Sequence, residues 1–379
     1  MVRVRRTSAP LLAAAVVAAV AVACSLGSGA YAAAEQEAVG AGAGAGVDDL
    51  WLRQPPITRG LSFDFYKRSC PRAESIVRHF VRDAVRKDVG LAGLLRLHFH
   101  DCFVQGCDAS VLLDGSAPPN LTLRPSAFKA INDIRDRLER ECRGAVVSCS
   151  DILALAATPL PRRRGVLLRH PGARRDSVLA SGGPEYRVPL GRRDSPQFAT
   201  QQDVLSGLPA PTSTVPSLLN VVGSLGLDAT DLVALSGGRA LHLLRGPPLP
   251  APRPDHELGL PRQAEADVPT DRRTPLDVRT PDVFDNKYCV NLVNREGLFV
   301  SDQDLFTNAN TRPIASSSAS QRNFFNQFGV SMVKMGQIKV LTGGQGQVRR
   351  NCSARNPGTV DGNLGLEWVA NAAAESLGF

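Results

Sequence analysis

One eighteen-residue stretch constrains this chain more than any other feature. Residues 96–113 read RLHFHDCFVQGCDASVLL. Arg96 and His100 are four residues apart, so in a helix they lie on one face. A fixed cation beside a neutral base suits cleavage of a peroxide O–O bond, because the base takes a proton from one oxygen and the cation stabilises the charge growing on the other. The alternative is a core helix with a satisfied histidine and an arginine that reaches solvent; a lone Arg-x-x-x-His favours that alternative, but the whole string favours the chemistry.

The N-terminus has the pattern of a secretory signal peptide. Three arginines precede an apolar run from Leu11 to Ala23, and small residues follow, which predicts cleavage near Ala32 to Ala34. Residues 35–60, which contain AVGAGAGAGV, are predicted to be a flexible leader. The later apolar runs in the sequence are too short to span a membrane. We therefore expect a soluble, secreted protein with no membrane partner.

The cysteine count fits an oxidising compartment. The eight cysteines are Cys24, Cys70, Cys102, Cys107, Cys142, Cys149, Cys289 and Cys352. Cys24 lies in the predicted signal peptide, so seven remain. An odd number in a secreted chain predicts a free thiol or a missing partner.

The formal net charge of +8 does not indicate a nucleic-acid surface. The first 34 residues carry +3 of it, which leaves about +5 for the rest. Residues 158–174 carry five arginines and no acidic residue, without interleaved aromatic side chains. The basicity is therefore local, and no nucleic-acid partner is predicted.

Hydrophobic periodicity from Leu61 onward predicts an all-α class with long loops. The predicted helices are Glu74–Val89, Leu91–Val104, Ser126–Cys142, Cys149–Ala157, Val215–Leu225, Asp231–Leu235, Phe284–Asn294 and Gln321–Met335. Ser148 or Ser150, Thr214, Thr230 and Ser320 occupy predicted N-cap positions. Alternating strand patterns are few and short.

Several strings together resemble the secreted plant haem peroxidases of class III. Besides the stretch above they are SFDFYKRSCPRAESIVR, SCSDILALAA, GGPEYRVPLGRRDS, GLPAP, DLVALSGG, DVRTPDVFDNKY, GLFVSDQDLF and GQIKVLTGGQGQVRRNC. They occur in the family's order and cover most of residues 61–353. The resemblance implies one peroxidase domain over residues 61–379, in which two helical halves sandwich a haem and are linked by disulfides.

The resemblance assigns roles on the distal side of the haem. His100 is similar to the catalytic acid–base, Arg96 to the charge stabiliser and Phe99 to the residue that shields the haem edge. Asn120 occupies the position of an Asn that hydrogen-bonds the distal His, although Asn120-Leu121-Thr122 is also a glycosylation sequon. Pro209 matches a proline that contacts phenolic donors through its carbonyl.

The resemblance also implies two calcium sites, three disulfides and a proximal carboxylate. The distal calcium ligands would be Asp101, Asp108 and Ser110 by side chain, with Val104 and Gly106 by carbonyl. The proximal calcium ligands would be Asp277, Thr280, Val283 and Asp285. Both sites depart from the family pattern, since Ala240 replaces a proximal Thr and the chain is about eight residues short between Asp114 and Asn120. The implied disulfides are Cys70–Cys142, Cys102–Cys107 and Cys149–Cys352, and Asp302 matches the carboxylate that hydrogen-bonds the proximal His.

The pattern breaks at the iron ligand. The family has a His directly after SGG, where this chain has Arg239, whose protonated guanidinium offers no lone pair to iron. Residues 239–269 do not resemble the family, and one hypothesis is a reading-frame error in this segment. The insert 158–174 is a second segment that departs from the family, and the hypothesis for it is an intron that was not removed. His242 is an alternative ligand, three residues on, but it needs a helix shift of about one turn, or 5.4 Å. Cys289 is predicted to be a buried unpaired thiol rather than a haem ligand.

These features predict a haem-dependent oxidoreductase that reduces hydrogen peroxide and oxidises small phenolic donors in one-electron steps. The expected cofactors are haem b and two calcium ions, and the expected product is a monomer in the plant cell wall or apoplast, with a role in the response to oxidative stress. The alternatives are a secreted pseudo-peroxidase without activity and an artefact of the gene sequence, because Arg239 replaces the axial ligand.

Overall fold

The computed structural model describes residues 54–87, 91–115, 123–144, 146–158, 182–238, 243–245, 273–281 and 283–357. The chain divides into two units, Met1–Gln54 and Pro55–Phe379, and every element below belongs to the second. The predicted signal peptide, nearly all of the insert 158–174 and most of residues 239–269 lie outside the described residues.

The described residues form eleven α-helices and four short strands. The helices are α1 Ala73–Lys87, α2 Leu91–Val104, α3 Pro125–Glu141, α4 Cys149–Ala156, α5 Gln201–Gly207, α6 Val215–Ser224, α7 Ala229–Gly237, α8 Lys287–Val293, α9 Val300–Thr307, α10 Arg312–Ser318 and α11 Gln321–Met335. The strands are β1 Arg192–Arg193, β2 Leu243–Arg245, β3 Arg273–Pro275 and β4 Leu341–Thr342. β1 pairs antiparallel with β4, and β2 pairs antiparallel with β3. Because these strands are only two or three residues long and the other elements are helices, the predicted all-α class is confirmed.

The strongly periodic helices have the predicted positions, and α2 and α11 have the predicted bounds. Ser148 caps α4 as predicted, because its hydroxyl accepts a hydrogen bond from the Asp151 amide at 3.1 Å. The prediction of Thr230 as an N-cap is wrong. Asp228 caps α7 instead, and its carboxylate accepts from the amides of Thr230 and Asp231 at 2.8 and 3.0 Å.

A buried ion pair ties α4 to β1. The side chains of Asp151 and Arg192 are both fully buried, and they meet at 2.8 Å. The Tyr66 hydroxyl donates to Asp151 Oδ2 at 2.7 Å, and the Gly191 amide donates to the same oxygen at 2.7 Å. Since buried charges require partners of this kind, the pair fixes the strand against the helix that follows Ser148.

The C-terminal end of α7 packs tightly on α11. A Cβ at Gly237 would collide with the Phe324 ring, and one at Gly238 would lie 3.0 Å from the Phe328 ring. Lys334 on α11 holds the buried carboxylate of Asp231 at 2.8 Å near the start of α7. These contacts fix the helix that ends two residues before position 239.

Three disulfides cross-link the described residues, and they join the cysteines that the resemblance pairs: Cys70–Cys142, Cys102–Cys107 and Cys149–Cys352. Cys289 is free and buried, as predicted. Burial and, to a smaller extent, the charge of Asp277 raise the pKa of the Cys289 thiol to about 12, so the thiol stays protonated.

Among the described helices, none is by itself long and apolar enough to cross a membrane. The bent pair α6 and α7 meets that criterion of length and composition only when the two are taken together, across a bend of 102°.

Candidate active site

Arg96 and His100 form a direct pair on α2. They lie one helical turn apart, and Arg96 Nε donates to His100 Nε2 at 3.2 Å. The imidazole of His100 is buried, with 5% of the residue exposed. Phe99 flanks it edge-on, at 5.6 Å between ring centroids, and packs at 4.4 Å on Phe103. Arg96, Phe99 and His100, which the resemblance assigns to the distal side, are therefore neighbours on α2.

His100 is a neutral base in this environment. Burial, and next the adjacent charge of Arg96, lower the pKa of His100 to about 3. Because Nε2 accepts from Arg96, the proton lies on Nδ1. Among the described residues, His100 Nδ1 has no hydrogen-bond partner. Asn120, the partner that the resemblance implies, lies outside the described residues.

This pair can do both halves of heterolytic peroxide cleavage. The neutral imidazole can remove a proton from a peroxide oxygen, and the fixed guanidinium can stabilise the negative charge on the other oxygen. The guanidinium also keeps the imidazole unprotonated before the substrate arrives. The His100 imidazole is therefore neutral and the Arg96 guanidinium charged before the peroxide binds.

The loop after α2 gathers the predicted distal calcium ligands. Asp101 and Asp108 are buried, and their carboxylates accept from the amides of Ala109 at 2.9 Å and Ser110 at 3.0 Å. Burial raises the pKa of both carboxyls, and the charge of Asp108 adds to the effect on Asp101. The charge of Arg349 opposes this effect without cancelling it. Two buried carboxylates whose burial disfavours their charged form fit the hard oxygen ligands of a calcium ion. The Ser110 side chain is buried beside them.

The loop itself depends on Gly106. Its φ of 131° is unfavourable for other residues. A Cβ there would lie 2.7 Å from the Lys339 backbone carbonyl. The Cys102–Cys107 disulfide closes the same loop, which includes Val104 and Gly106. The predicted carbonyl ligands are therefore held in a constrained turn.

The second predicted calcium set is also brought together. The Thr280 hydroxyl lies between two carboxylates, 3.1 Å from Asp277 Oδ2 and 3.0 Å from Asp285 Oδ1. Asn291 Nδ2 donates to Asp277 Oδ1 at 2.8 Å. Burial raises the pKa of Asp285, and the charge of Asp277 contributes in the same direction. Val283 lies in the same turn, where its amide donates to the Thr280 carbonyl.

Asp302 has a partner that sequence reasoning missed. The carboxylate is buried, and its Oδ1 accepts from the Tyr288 hydroxyl at 2.8 Å while Oδ2 accepts from the Phe299 amide at 3.1 Å. Tyr288 ends the family-like string DVRTPDVFDNKY, but the string does not indicate its contact with Asp302, which joins α8 to the next helix, α9. Arg239 and His242, the position of the missing ligand and its alternative, lie outside the described residues.

Pro209 is half-buried in the turn after α5. Gly207, two residues earlier, packs so closely on α2 that a Cβ would lie 2.6 Å from the Phe103 carbonyl. The turn is thereby held at the C-terminal end of the helix that carries Arg96 and His100. This location is compatible with the predicted donor contact.

A cluster of His98, Cys102 and Cys107 has the composition of a metal site but is not one in the oxidised protein. Their nitrogen and sulfur atoms lie within 4.8 Å of one another. The two sulfur atoms are bonded to each other, so neither is a thiolate that could bind a cation.

The comparisons with known proteins agree with this geometry. A family model described as peroxidase matches residues 77–321. The chain is 64% identical to cationic peroxidase SPC4 of Sorghum bicolor over 348 residues, which cover 86% of this chain and 91% of that protein. It is 48% identical to peroxidase 12 of Arabidopsis thaliana, over 80% of this chain and 85% of the relative. It is 43% identical to peroxidase 66 of Zea mays, over 77% and 89% respectively.

The chain therefore belongs to the peroxidase family, and within it to the class III plant peroxidases. The described helices and disulfides have the all-α character of that haem-peroxidase fold. The protein is therefore a peroxidase, an oxidoreductase that acts on hydrogen peroxide.

Proposed function

We propose that this protein is a secreted haem peroxidase that oxidises small phenolic donors by single-electron steps. The observation that carries the proposal is the part-buried Arg96–His100 pair, in which the base is 3.2 Å from the cation and the pKa of the buried imidazole is lowered to about 3. Removal of hydrogen peroxide during oxidative stress and location in the cell wall or apoplast are parts of the same proposal. The plant relatives support it.

The distal residues fit a haem, whereas the axial position does not. Haem, when bound, supplies the iron centre at which the peroxide bond is cleaved. Phe99 covers one edge of the distal side, and His100 and Arg96 point their polar atoms at each other across one turn. Arg239 offers no lone pair to iron, so no step is assigned to a proximal ligand.

The protein's own residues perform the proton steps. His100 Nε2 takes the proton from the first peroxide oxygen and gives it to the departing one, which leaves as water. Arg96 exchanges its hydrogen bond with His100 for one to the departing oxygen. The low pKa of His100 ensures that it is unprotonated when peroxide arrives.

Two calcium ions belong to the proposal. The distal ion would take Asp101, Asp108, Ser110, Val104 and Gly106, and the proximal ion would take Asp277, Thr280, Val283 and Asp285. The raised pKa values of Asp101, Asp108 and Asp285 support cation binding, because a cation would remove the cost of burying these charges.

We expect a calcium chelator to lower the melting temperature of the protein. The Asp108→Asn variant should have a lower melting temperature than the unaltered protein, and the chelator should lower it by a smaller further amount. Asp114→Asn, at an exposed position on the same loop, is the control. An unchanged chelator response in Asp108→Asn would exclude the distal site.

A second candidate function is a non-enzymatic secreted protein of the same fold. Arg239 is the observation that favours it, since a chain without an axial donor binds haem poorly. The intact Arg96–His100 pair favours the enzyme.

Haem titration separates the two functions. The full chain and its Arg239→His variant are produced in an oxidising host, titrated with haem, and assayed with hydrogen peroxide and a simple phenol; Arg68→His, at an exposed position, is the control. We expect Arg239→His to bind haem more tightly than the other two proteins and to oxidise the phenol. Haem-loaded Arg239→His without activity would establish the non-enzymatic function instead. Equal affinity of all three proteins would show that another residue, such as His242, is the ligand.

A further inference from the structure

A small cavity lies behind α2, away from the Arg96–His100 pair. Its walls include His98, Pro189, Arg192 and Gly336. His98 is two residues from His100, and residues two apart do not share a helix face. The cavity has room for about one water molecule.

Arg192 brings an unsatisfied donor to this cavity. Its fully buried guanidinium donates from Nη1 to Asp151 Oδ1 at 2.8 Å and to the Pro189 carbonyl at 2.7 Å. Nε donates to the Gly336 carbonyl at 2.8 Å. Nη2 has no hydrogen-bond partner among the described residues. A buried charged donor without a partner is costly, so its partner should be sought in the adjoining space.

Gly336 marks that space. Its φ and ψ of −65° and −1° are open to every residue, so the backbone does not require glycine. A Cβ at this position would lie 3.0 Å from Arg192 Nη2, 3.3 Å from the Met332 carbonyl oxygen and 3.7 Å from His98 Nε2. A donor, a carbonyl acceptor and an imidazole nitrogen thus face the space beside the Gly336 Cα, which the missing side chain leaves open.

We propose that this cavity is a binding site for one ordered water molecule, which accepts a hydrogen bond from Arg192 Nη2 and donates to the Met332 carbonyl and to His98. Three polar partners are typical of a buried structural water. The water joins α2, β1 and α11, and it extends the Asp151–Arg192 ion pair to the helix that carries the candidate active site. The site does not depend on haem binding.

The charges around the cavity favour water over an ion. The guanidinium of Arg192 is already paired with Asp151, and the partial negative charge of the Met332 carbonyl oxygen disfavours an anion. A cation would meet the guanidinium at close range. Burial, and next the charge of Arg192, lower the pKa of His98 to about 3, so the imidazole is neutral and accepts a hydrogen bond from water.

A high-resolution crystal structure of the full chain tests the site, with and without a bromide soak. We expect one density peak within hydrogen-bond distance of Arg192 Nη2, without anomalous signal after the soak. An empty cavity overturns the proposal, and a peak with bromide anomalous signal overturns it in favour of a halide site.

The Gly336→Ala variant gives an independent readout in solution. Its methyl group would project into the space between Arg192 Nη2, the Met332 carbonyl and His98, and would exclude the water by contact. The count of long-lived internal waters from magnetic relaxation dispersion should therefore fall by one. The melting temperature should fall by at least about 2 °C relative to Gly223→Ala, a helical control with an open Cβ position. An unchanged water count in Gly336→Ala contradicts the proposal, whatever its stability.

Discussion

At the scale of single residues, the environment of His100 decides its chemistry. An imidazole normally titrates near pH 6.5, where half of it would be protonated and unable to act as a base. Burial and the neighbouring Arg96 prevent this by lowering the pKa to about 3. The Arg96 contact at 3.2 Å serves twice, since the same cation is positioned to stabilise the peroxide oxygen that leaves. The motif in the sequence carries both functions because one helical turn joins its two residues.

We therefore predict that His100 remains neutral in the folded protein through the mildly acidic range. The unfolded chain binds this proton near pH 6.5, so the contribution of His100 to stability is present above that pH and decreases as the pH falls toward 3. Nuclear magnetic resonance of labelled histidine should show the His100 imidazole titrating near pH 3. A His100 midpoint close to 6.5 would refute the assigned environment.

At the scale of elements, hydrophobic periodicity predicted the helices that have a continuous buried stripe. α2 and α11 have the predicted bounds, because their apolar residues specify one buried face. α5, α9 and α10 were not predicted, since they are short and, unlike the equally short α4 and α8, lack a clear apolar stripe in the sequence. In α5, Thr200 and Asp203 form a reciprocal capping box that starts the helix where the apolar pattern is weak.

The candidate site was predictable to the extent that it is local in sequence. Arg96 and His100, and the turn with Asp101 and Asp108, are close along the chain, so the motif predicted their proximity. The Tyr288–Asp302 bond depends on how two successive helices pack, and the Arg192 cavity depends on contacts between segments far apart in the chain. Such contacts leave no periodic signal in one sequence.

The packing of α7 on α11 gives a prediction at this scale. A methyl group at Gly237 would overlap the Phe324 ring, so Gly237→Ala should lower the free energy of unfolding by about 1–3 kcal/mol. Chemical denaturation should show the loss, and Gly223→Ala, whose Cβ position is open, should show none. Equal stability of the two variants would mean that α7 does not approach α11 as closely as described.

At the scale of the whole molecule, disulfides connect segments far apart in the chain. Cys149–Cys352 spans 203 residues and fastens α4 to the segment that follows β4. Cys70–Cys142 spans 72 residues and fastens the start of the helical region to the end of α3. The helices between them supply the core, and the cross-links limit the freedom of the unfolded chain.

Replacing both Cys149 and Cys352 by serine should therefore reduce the free energy of unfolding by about 2–5 kcal/mol. The Cys70–Cys142 disulfide closes a shorter loop. Replacing both of its cysteines by serine should therefore reduce the free energy of unfolding by about 1 kcal/mol less than the Cys149–Cys352 replacement does. Denaturant titrations of the oxidised proteins would measure both effects. A loss below 1 kcal/mol for the Cys149–Cys352 pair would contradict its structural role.

The central claim is that His100 and Arg96 carry out the reaction with peroxide. The most direct test is the second-order rate constant for hydrogen peroxide, measured by stopped-flow absorbance on haem-loaded Arg239→His with and without the further change His100→Gln. His79→Gln, at an exposed position, is the matched control. We predict that His100→Gln slows the reaction by about 10²–10⁴-fold, and that His79→Gln leaves it unchanged. Equal rates in the His100→Gln and His79→Gln proteins would contradict the account.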